Sequence, residues 1–228
     1  MLREHLKERG VTNPRVLEVF REVPREKFVP PQFYDLSYED SPLDIGSGQT
    51  ISQPYTVAFM TQLLDPQPSD VVLEVGTGSG YQAAILSRLA KQIYTIERFE
   101  ELGNKAKKVL RQLGYENVEM VIGDGSKGLP EKAPFDGIIV TAGAPRIPEP
   151  LIDQLAEGGR LVIPIGVGIQ AMIKITKTKK GLKREEFPGF RFVPLVGRLG
   201  FARDDLFEPE RPQSRRPERS RTGWAGGI

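Results

Sequence analysis

Val71-Val72-Leu73-Glu74-Val75-Gly76-Thr77-Gly78-Ser79-Gly80-Tyr81 runs from an apolar strand into three glycines at alternate positions and then into a helix-like segment. A glycine has no Cβ, so the chain can turn sharply after the strand and lie against a ligand that a side chain would exclude. The spacing therefore marks a nucleotide-cofactor loop. Glu74 sets a carboxylate close to the carboxyl end of the strand, where open α/β sheets place their ligands.

Downstream of this stretch the pattern is regular. Strands are expected near 71–75, 92–96, 118–122, 136–141 and 160–165, with helices near 80–90, 100–113 and 148–156 between them, which implies a parallel, doubly wound α/β sheet. After Gly166 the rhythm changes to two strand-like runs, Ala171–Thr178 and Phe190–Leu199. The basic turn Lys179–Arg184 separates them, and an antiparallel pair at the sheet edge is expected.

Upstream, residues 1–65 do not alternate and read as a helical and irregular extension. Asn13 caps a helix that Pro14 opens and Pro24 ends, with Val16, Leu17, Val19, Phe20 and Val23 as its apolar stripe. An aromatic segment from Phe28 to Tyr38 follows, with the capacity to close over bound ligands. Gly46 to Pro54 reads as a second glycine-containing loop, leading into a helix from about Tyr55 to Leu64. Residues 66–202 form the expected core. Residues 203–228, rich in Arg and Pro, lack the apolar side chains to fold alone and read as a solvated tail; a weak nucleic-acid contact through its arginines is the secondary reading.

Hydrophobic residues at 39%, charged residues at 27% and a net charge of +2 describe a globular protein without the excess charge that a polyanion partner demands. There is no apolar run of about 18 residues, and the charged first residues lack a signal peptide's apolar centre, so a cytoplasmic protein without membrane association is expected. With no cysteine and a single histidine, His5, the chain has no thiolate nucleophile and no cysteine or multi-histidine metal site. His5 itself is expected on the surface, and no metal is expected.

Two cofactors fit the glycine loop. Gly78 to Ala83 satisfies G-x-G-x-x-G/A, and Glu97 lies nineteen residues beyond Gly78, as in an NAD enzyme. Three acids favour S-adenosylmethionine instead. Glu74 suits its amino group and would repel a pyrophosphate. Glu97, ending the second strand, can accept the ribose hydroxyls, and Asp124, between Gly123 and Gly125, can accept from the adenine amino group. The plain alternatives are a strand-end acid for Glu74, a helix-start carboxylate for Glu97 and a turn residue for Asp124.

Beyond the glycine loop, the blocks Arg25–Pro30, Gly48-Gln49-Thr50-Ile51-Ser52-Gln53-Pro54-Tyr55, Gly123-Asp124-Gly125, Phe135–Ala142 and Gly158–Gly166 resemble those of the protein-L-isoaspartate (D-aspartate) O-methyltransferases. The likeness runs from about Val19 to Gly200, and the Thr-Ile-Ser-Gln-Pro block is its specific element. It implies a class I, S-adenosylmethionine-dependent methyltransferase fold, Rossmann-like. It also implies a repair enzyme that esterifies the free α-carboxylate of L-isoaspartyl residues, with D-aspartyl residues as a secondary acceptor. S-adenosylhomocysteine would be the by-product, and the methyl ester would collapse to a succinimide. The implied catalytic residue is Ser52, and the cofactor residues are Glu74, Gly76, Thr77, Gly78, Gly80, Glu97, Asp124 and Gly125. Thr50, Ile51, Ser52, Tyr55, Thr141 and Ala142 would line the acceptor site. The implied partners are isoaspartyl proteins and peptides, met by a monomer. Rival readings are a methyltransferase for nucleic acid or small molecules, an NAD oxidoreductase, and a binding module that keeps the fold.

Overall fold

Val72 and Glu74 point to one face of strand Val71–Val75 and Leu73 and Val75 to the other, and both faces are buried. A strand covered on both sides sits at the centre of an α/β sheet. The computed structural model of the chain describes residues 2–202; the expected tail, Arg203 to Ile228, lies outside the described residues.

In chain order the regular elements are α1 (Pro14–Glu22), β1 (Leu43–Gly46), β2 (Gln49–Ile51), α2 (Pro54–Leu64), β3 (Val71–Val75), α3 (Tyr81–Ser87), β4 (Gln92–Glu97), α4 (Glu100–Gln112), β5 (Val118–Ile122), β6 (Phe135–Val140), α5 (Glu149–Asp153), β7 (Leu155–Ile165), β8 (Gln170–Thr178) and β9 (Gly181–Phe190). The main sheet has the order β5-β4-β3-β6-β7-β8-β9. β5 through β7 are parallel, and β8 and β9 complete the sheet as antiparallel strands. The expected architecture is thus present, and the strand order reverses between β3 and β6. That reversal opens a crevice beyond their carboxyl ends, where such sheets bind ligands.

The second edge strand differs from expectation. It is Gly181–Phe190, and the segment from Arg191 to Leu199 is irregular. Lys179 and Lys180 reverse the chain at once, so pairing starts at Thr178↔Gly181 and continues to Gln170↔Phe190. As the edge of the sheet, β9 faces water and carries Lys183, Arg184, Glu185 and Glu186; Pro188 is tolerated where no further strand needs its N–H. The apolar residues after it are apolar for another reason, because they cover the cleft described below.

In the extension, Asn13 caps α1 as expected, its side chain accepting from the N–H groups of Arg15 and Val16 at 3.0 and 3.3 Å. The Gly46–Pro54 loop holds an unexpected β1-β2 hairpin, turned by Ser47 and Gly48 with φ of 54° and 66°. Two positive φ values define the tight turn whose twist matches that of the strands it joins. The extension is not a separate core: Val16, Phe20, Phe28 and Ala58 pack in one cluster with Tyr81, Ala84 and Leu110. Phe28 lies 5.5 Å from the Tyr81 ring and is locked in that core, so it is not part of a lid. His5 is half-buried beside Glu4 instead of lying on the surface.

Candidate active site

Beyond the carboxyl ends of β3, β4 and β6 the chain forms a cleft walled by the glycine loop, the β1-β2 hairpin with Thr50, Ile51 and Ser52, the start of α2, and residues Val193–Val196. Gly76, Thr77, Gly78, Glu97, Gly125, Thr141 and Ala142 line it as well. A second limb shares Thr50, Ser52, Thr141 and Val193 with the first and is lined further by Pro42, Gln53, Thr56, Arg191 and Phe192. Ser52 therefore stands at the junction of the two limbs. Its hydroxyl has no hydrogen bond among the described residues. Nor does Ser52 cap α2, whose N-cap is Gln53.

The glycine loop is held from both sides. Gly76 N–H donates to the Ile96 carbonyl at 2.8 Å, and Gly76 accepts from the Thr141 hydroxyl at 2.6 Å. Its φ is +99°, and a Cβ there would collide with that hydroxyl, so only glycine fits. Gly78 N–H donates to Glu97 Oε2 and Phe99 N–H to Glu97 Oε1, both at 2.9 Å. These bonds fix the carboxylate in the cleft wall and leave its remaining lone pairs for a ligand.

Four expected site residues lie outside the cleft walls. Gly80 caps α3 from behind, where a Cβ would press on Ala106 and Leu110 at 3.3 Å; it allows close packing of α3 on α4. Tyr55 stacks on Phe59 at 5.7 Å beneath the Arg9 guanidinium. Val57, two residues further along α2, faces the cleft, and two helical steps rotate a side chain by about 200°. Asp124 lines a recess that adjoins the cleft at Arg98, Gly123 and Val196, and accepts from the N–H and hydroxyl of Ser126 and from Arg198 N–H at 2.9 Å. Burial raises its pKa, but these donors together with Lys127 outweigh that and the net shift is downward.

Glu74 is the largest departure. Strand alternation sends it to the face of Val72, beneath α2 and α3, where it is 0% exposed. Thr95 donates to Glu74 Oε2 at 2.5 Å, and the Thr95 and Thr77 hydroxyls are 2.6 Å apart. A row of hydroxyls thus joins the carboxyl to the cleft without exposing it. Burial pushes its pKa up to about 8, the Thr95 bond opposing and the negative charge of Glu97 adding.

Sequence reasoning missed Gln82, the cover Val193–Val196 and Arg25. Gln82 lines the cleft and donates to Thr61 at 3.0 Å, while its Oε1 is buried without a partner. Pro194 and Gly197 argue against a strand through 190–199 and were the available signal for the cover. Arg25 stood in a recognised block, but only the fold shows what its guanidinium reaches. Among the described residues there is no cluster able to hold a metal ion and no helix long and apolar enough to cross a membrane.

A glycine loop at the switch point, an acid ending the next strand and a cleft with two limbs are the features of a Rossmann-like enzyme that brings a nucleotide cofactor to an acceptor, and structural relatives narrow the class to methyltransferases. One solved protein-L-isoaspartate O-methyltransferase superposes with a TM-score of 0.77 at 34% identity over 88% of this chain and 67% of its own. Another, from Plasmodium falciparum and in complex with S-adenosyl-L-homocysteine, superposes at 0.75 with 28% identity over 86% of this chain and 96% of its own. The family model described as protein-L-isoaspartate(D-aspartate) O-methyltransferase matches residues 1–200. Protein-L-isoaspartate O-methyltransferase 2 of Pelobacter propionicus is 52% identical over 88% of this chain and 91% of the relative; the Dictyoglomus thermophilum enzyme is 53% identical over 87% and 90%. The chain belongs to the protein-L-isoaspartate O-methyltransferase family of S-adenosylmethionine-dependent enzymes.

Proposed function

We propose that this chain esterifies the free α-carboxylate of isoaspartyl residues in damaged proteins and peptides, with Ser52 as the residue that orients the acceptor. The observation that carries the assignment is the place of Ser52, with an unengaged hydroxyl where the two limbs of the cleft meet. One limb then serves the cofactor and the other the peptide.

The residues present suit S-adenosylmethionine. Gly76, Thr77 and Gly78 would lie along it, Glu97 would accept from the ribose hydroxyls, and Gly125 leaves room at the adenine end. The unpartnered Gln82 Oε1 supplies an acceptor of the kind an ammonium group needs, the role expected of Glu74. The cofactor contributes a methyl group activated on a sulfonium sulfur. Asp124 supports the adenine end through the backbone it pins at Ser126 and Arg198.

An α-carboxylate is ionised at neutral pH, so its oxygen is nucleophilic without a general base. A chain with one histidine and no cysteine is sufficient for that chemistry. The protein's task is alignment, which in well-oriented systems contributes roughly 7 to 11 kcal/mol. Ser52 would donate to the acceptor carboxylate, while Thr50, Ile51, Thr141 and Ala142 shape its surroundings. After release, the following backbone amide nitrogen attacks the ester carbonyl, methanol leaves, and a succinimide forms. We place this activity in a cytoplasmic monomer, in keeping with a charged, cysteine-free chain.

Ser52→Ala tests the role. S-adenosylhomocysteine binding within about twofold of the parent with a fall in transfer of about tenfold, the scale of one hydrogen bond to a charged group, is the expected result. Equal loss of binding and transfer would mean that Ser52 only supports the fold.

A further inference from the structure

Arg191 lines the acceptor limb but not the cofactor limb, and among the described residues it is the only charged one that lines the acceptor limb. It is exposed and makes no hydrogen bond or ion pair with the described residues. Gln53 on the same wall is bonded to Asp40 at 3.1 Å, but that carboxylate is already engaged by Arg9 and by Tyr55 N–H. Arg191 therefore presents an uncompensated positive charge to whatever enters.

The backbone that carries it is held in place. Phe192 N–H donates to Gln170 Oε1 at 2.8 Å, and Gln170 is itself buried. Gly143 N–H donates to the Val193 carbonyl at 2.8 Å, and Leu195 N–H donates to the Gly143 carbonyl at 2.7 Å. Gly143 can lie there because a Cβ would collide with the Gln170 amide. A cation carried on a held backbone beside a binding limb acts on specificity through its charge, while its unbonded side chain still loses rotamer freedom on pairing, which keeps the effect small.

We propose that Arg191 is a specificity-determining residue that recognises a second carboxylate on the acceptor peptide, distinct from the one being methylated. This rests on the assignment of the second limb to the peptide. The second carboxylate is either an acidic side chain flanking the isoaspartyl residue or the peptide's own C-terminus; both present the same chemistry to the guanidinium. Peptides with a basic flank are disfavoured by the same charge.

The test uses isoaspartyl peptides of one sequence with Glu, Gln or Lys at a flanking position, all C-terminally amidated, and the Gln peptide again with a free C-terminus. Each is assayed with the parent, Arg191→Gln and Arg191→Glu at low and high salt. The parent should favour Glu over Gln by about two- to fivefold in kcat/KM, the scale of an exposed ion pair. Lys should be the poorest, and the preference should fade at high salt. Arg191→Gln should flatten the order and Arg191→Glu should invert it. A preference for the free C-terminus alone, lost in Arg191→Gln, assigns the terminal carboxylate as the ligand. An order that is the same in parent and Arg191→Gln, or no charge preference in the parent, overturns the proposal. Failure of the parent to methylate the Gln peptide at all contradicts the function assignment itself, which separates the two failures.

Discussion

The buried guanidinium of Arg25 donates through Nη2 to the main-chain carbonyl of Ser52 at 2.8 Å. Its Nε donates to the Ser37 carbonyl at 2.7 Å, and its plane lies 4.9 Å from the Tyr81 ring centroid, so one 0%-exposed side chain ties the acceptor loop to the extension and to the first turn of α3. Burial pulls its pKa down to about 10, the neighbouring Tyr81 and Asp40 opposing, and it stays charged at neutral pH.

Arg25→Lys keeps the charge but loses the planar fork that reaches two carbonyls at once. A loss of about 1.5 to 3 kcal/mol should lower Tm by about 3 to 12 °C. Methyl transfer should fall further than S-adenosylhomocysteine affinity, because the acceptor loop loosens before the cofactor limb does. Calorimetry and isothermal titration on the same sample separate the two; parallel losses would show that Arg25 supports the fold without bearing on Ser52.

Glu97→Ala removes both the acceptor offered to the ligand and the carboxylate that holds Gly78 N–H. S-adenosylhomocysteine affinity should weaken by about 1.5 to 3 kcal/mol. Glu97→Gln keeps an oxygen acceptor and should lose less. Equal Kd values for Glu97→Ala and the parent would remove Glu97 from the cofactor limb.

Glu74 has a definite pH signature. Its folded pKa of about 8 lies above the ordinary value of 4.5, so in that window the folded chain holds a proton that the unfolded chain has released. Stability contributed by this group is full below about pH 4.5 and is lost as pH rises to about 8. Glu74→Gln should flatten this part of the curve, and its difference from the parent should change by a few kcal/mol, at about 1.4 kcal/mol per pH unit at most. Urea unfolding of both proteins across that range measures the difference. Parallel curves would mean that Glu74 is ionised in the folded state.

Gly76→Ala meets both a positive φ and the Thr141 hydroxyl. It should destabilise the fold by about 2 to 4 kcal/mol, combining backbone strain with overpacking. Adding Thr141→Ala relieves the collision but not the φ, so the double variant should recover part of the loss. Full recovery, followed by denaturant midpoint, would assign the whole effect to crowding.

The parallel sheet, its strand positions and most of the cleft wall were legible in the sequence because apolar runs, glycine spacing and alternation are local signals. The β9 error arose where local pattern and exposure part company. Gly181 to Arg184 look like part of a turn but begin a solvated edge strand, while Val193 to Val196 look like part of a strand but cover a cleft. Glu74 was read correctly as a carboxylate near the loop, yet its direction depended on which face of β3 it occupied. Arg25 and Gln82 could not be found from sequence, since their roles rest on contacts 27 and 21 residues away, with Ser52 and Thr61.

The most direct measurement is transfer of labelled methyl from S-adenosylmethionine to two peptides of identical sequence, one with L-isoaspartate and one with normal L-aspartate. Base-labile label on the isoaspartyl peptide alone is the expected result. Equal labelling of both, or of neither while S-adenosylhomocysteine still binds, would contradict the assigned acceptor.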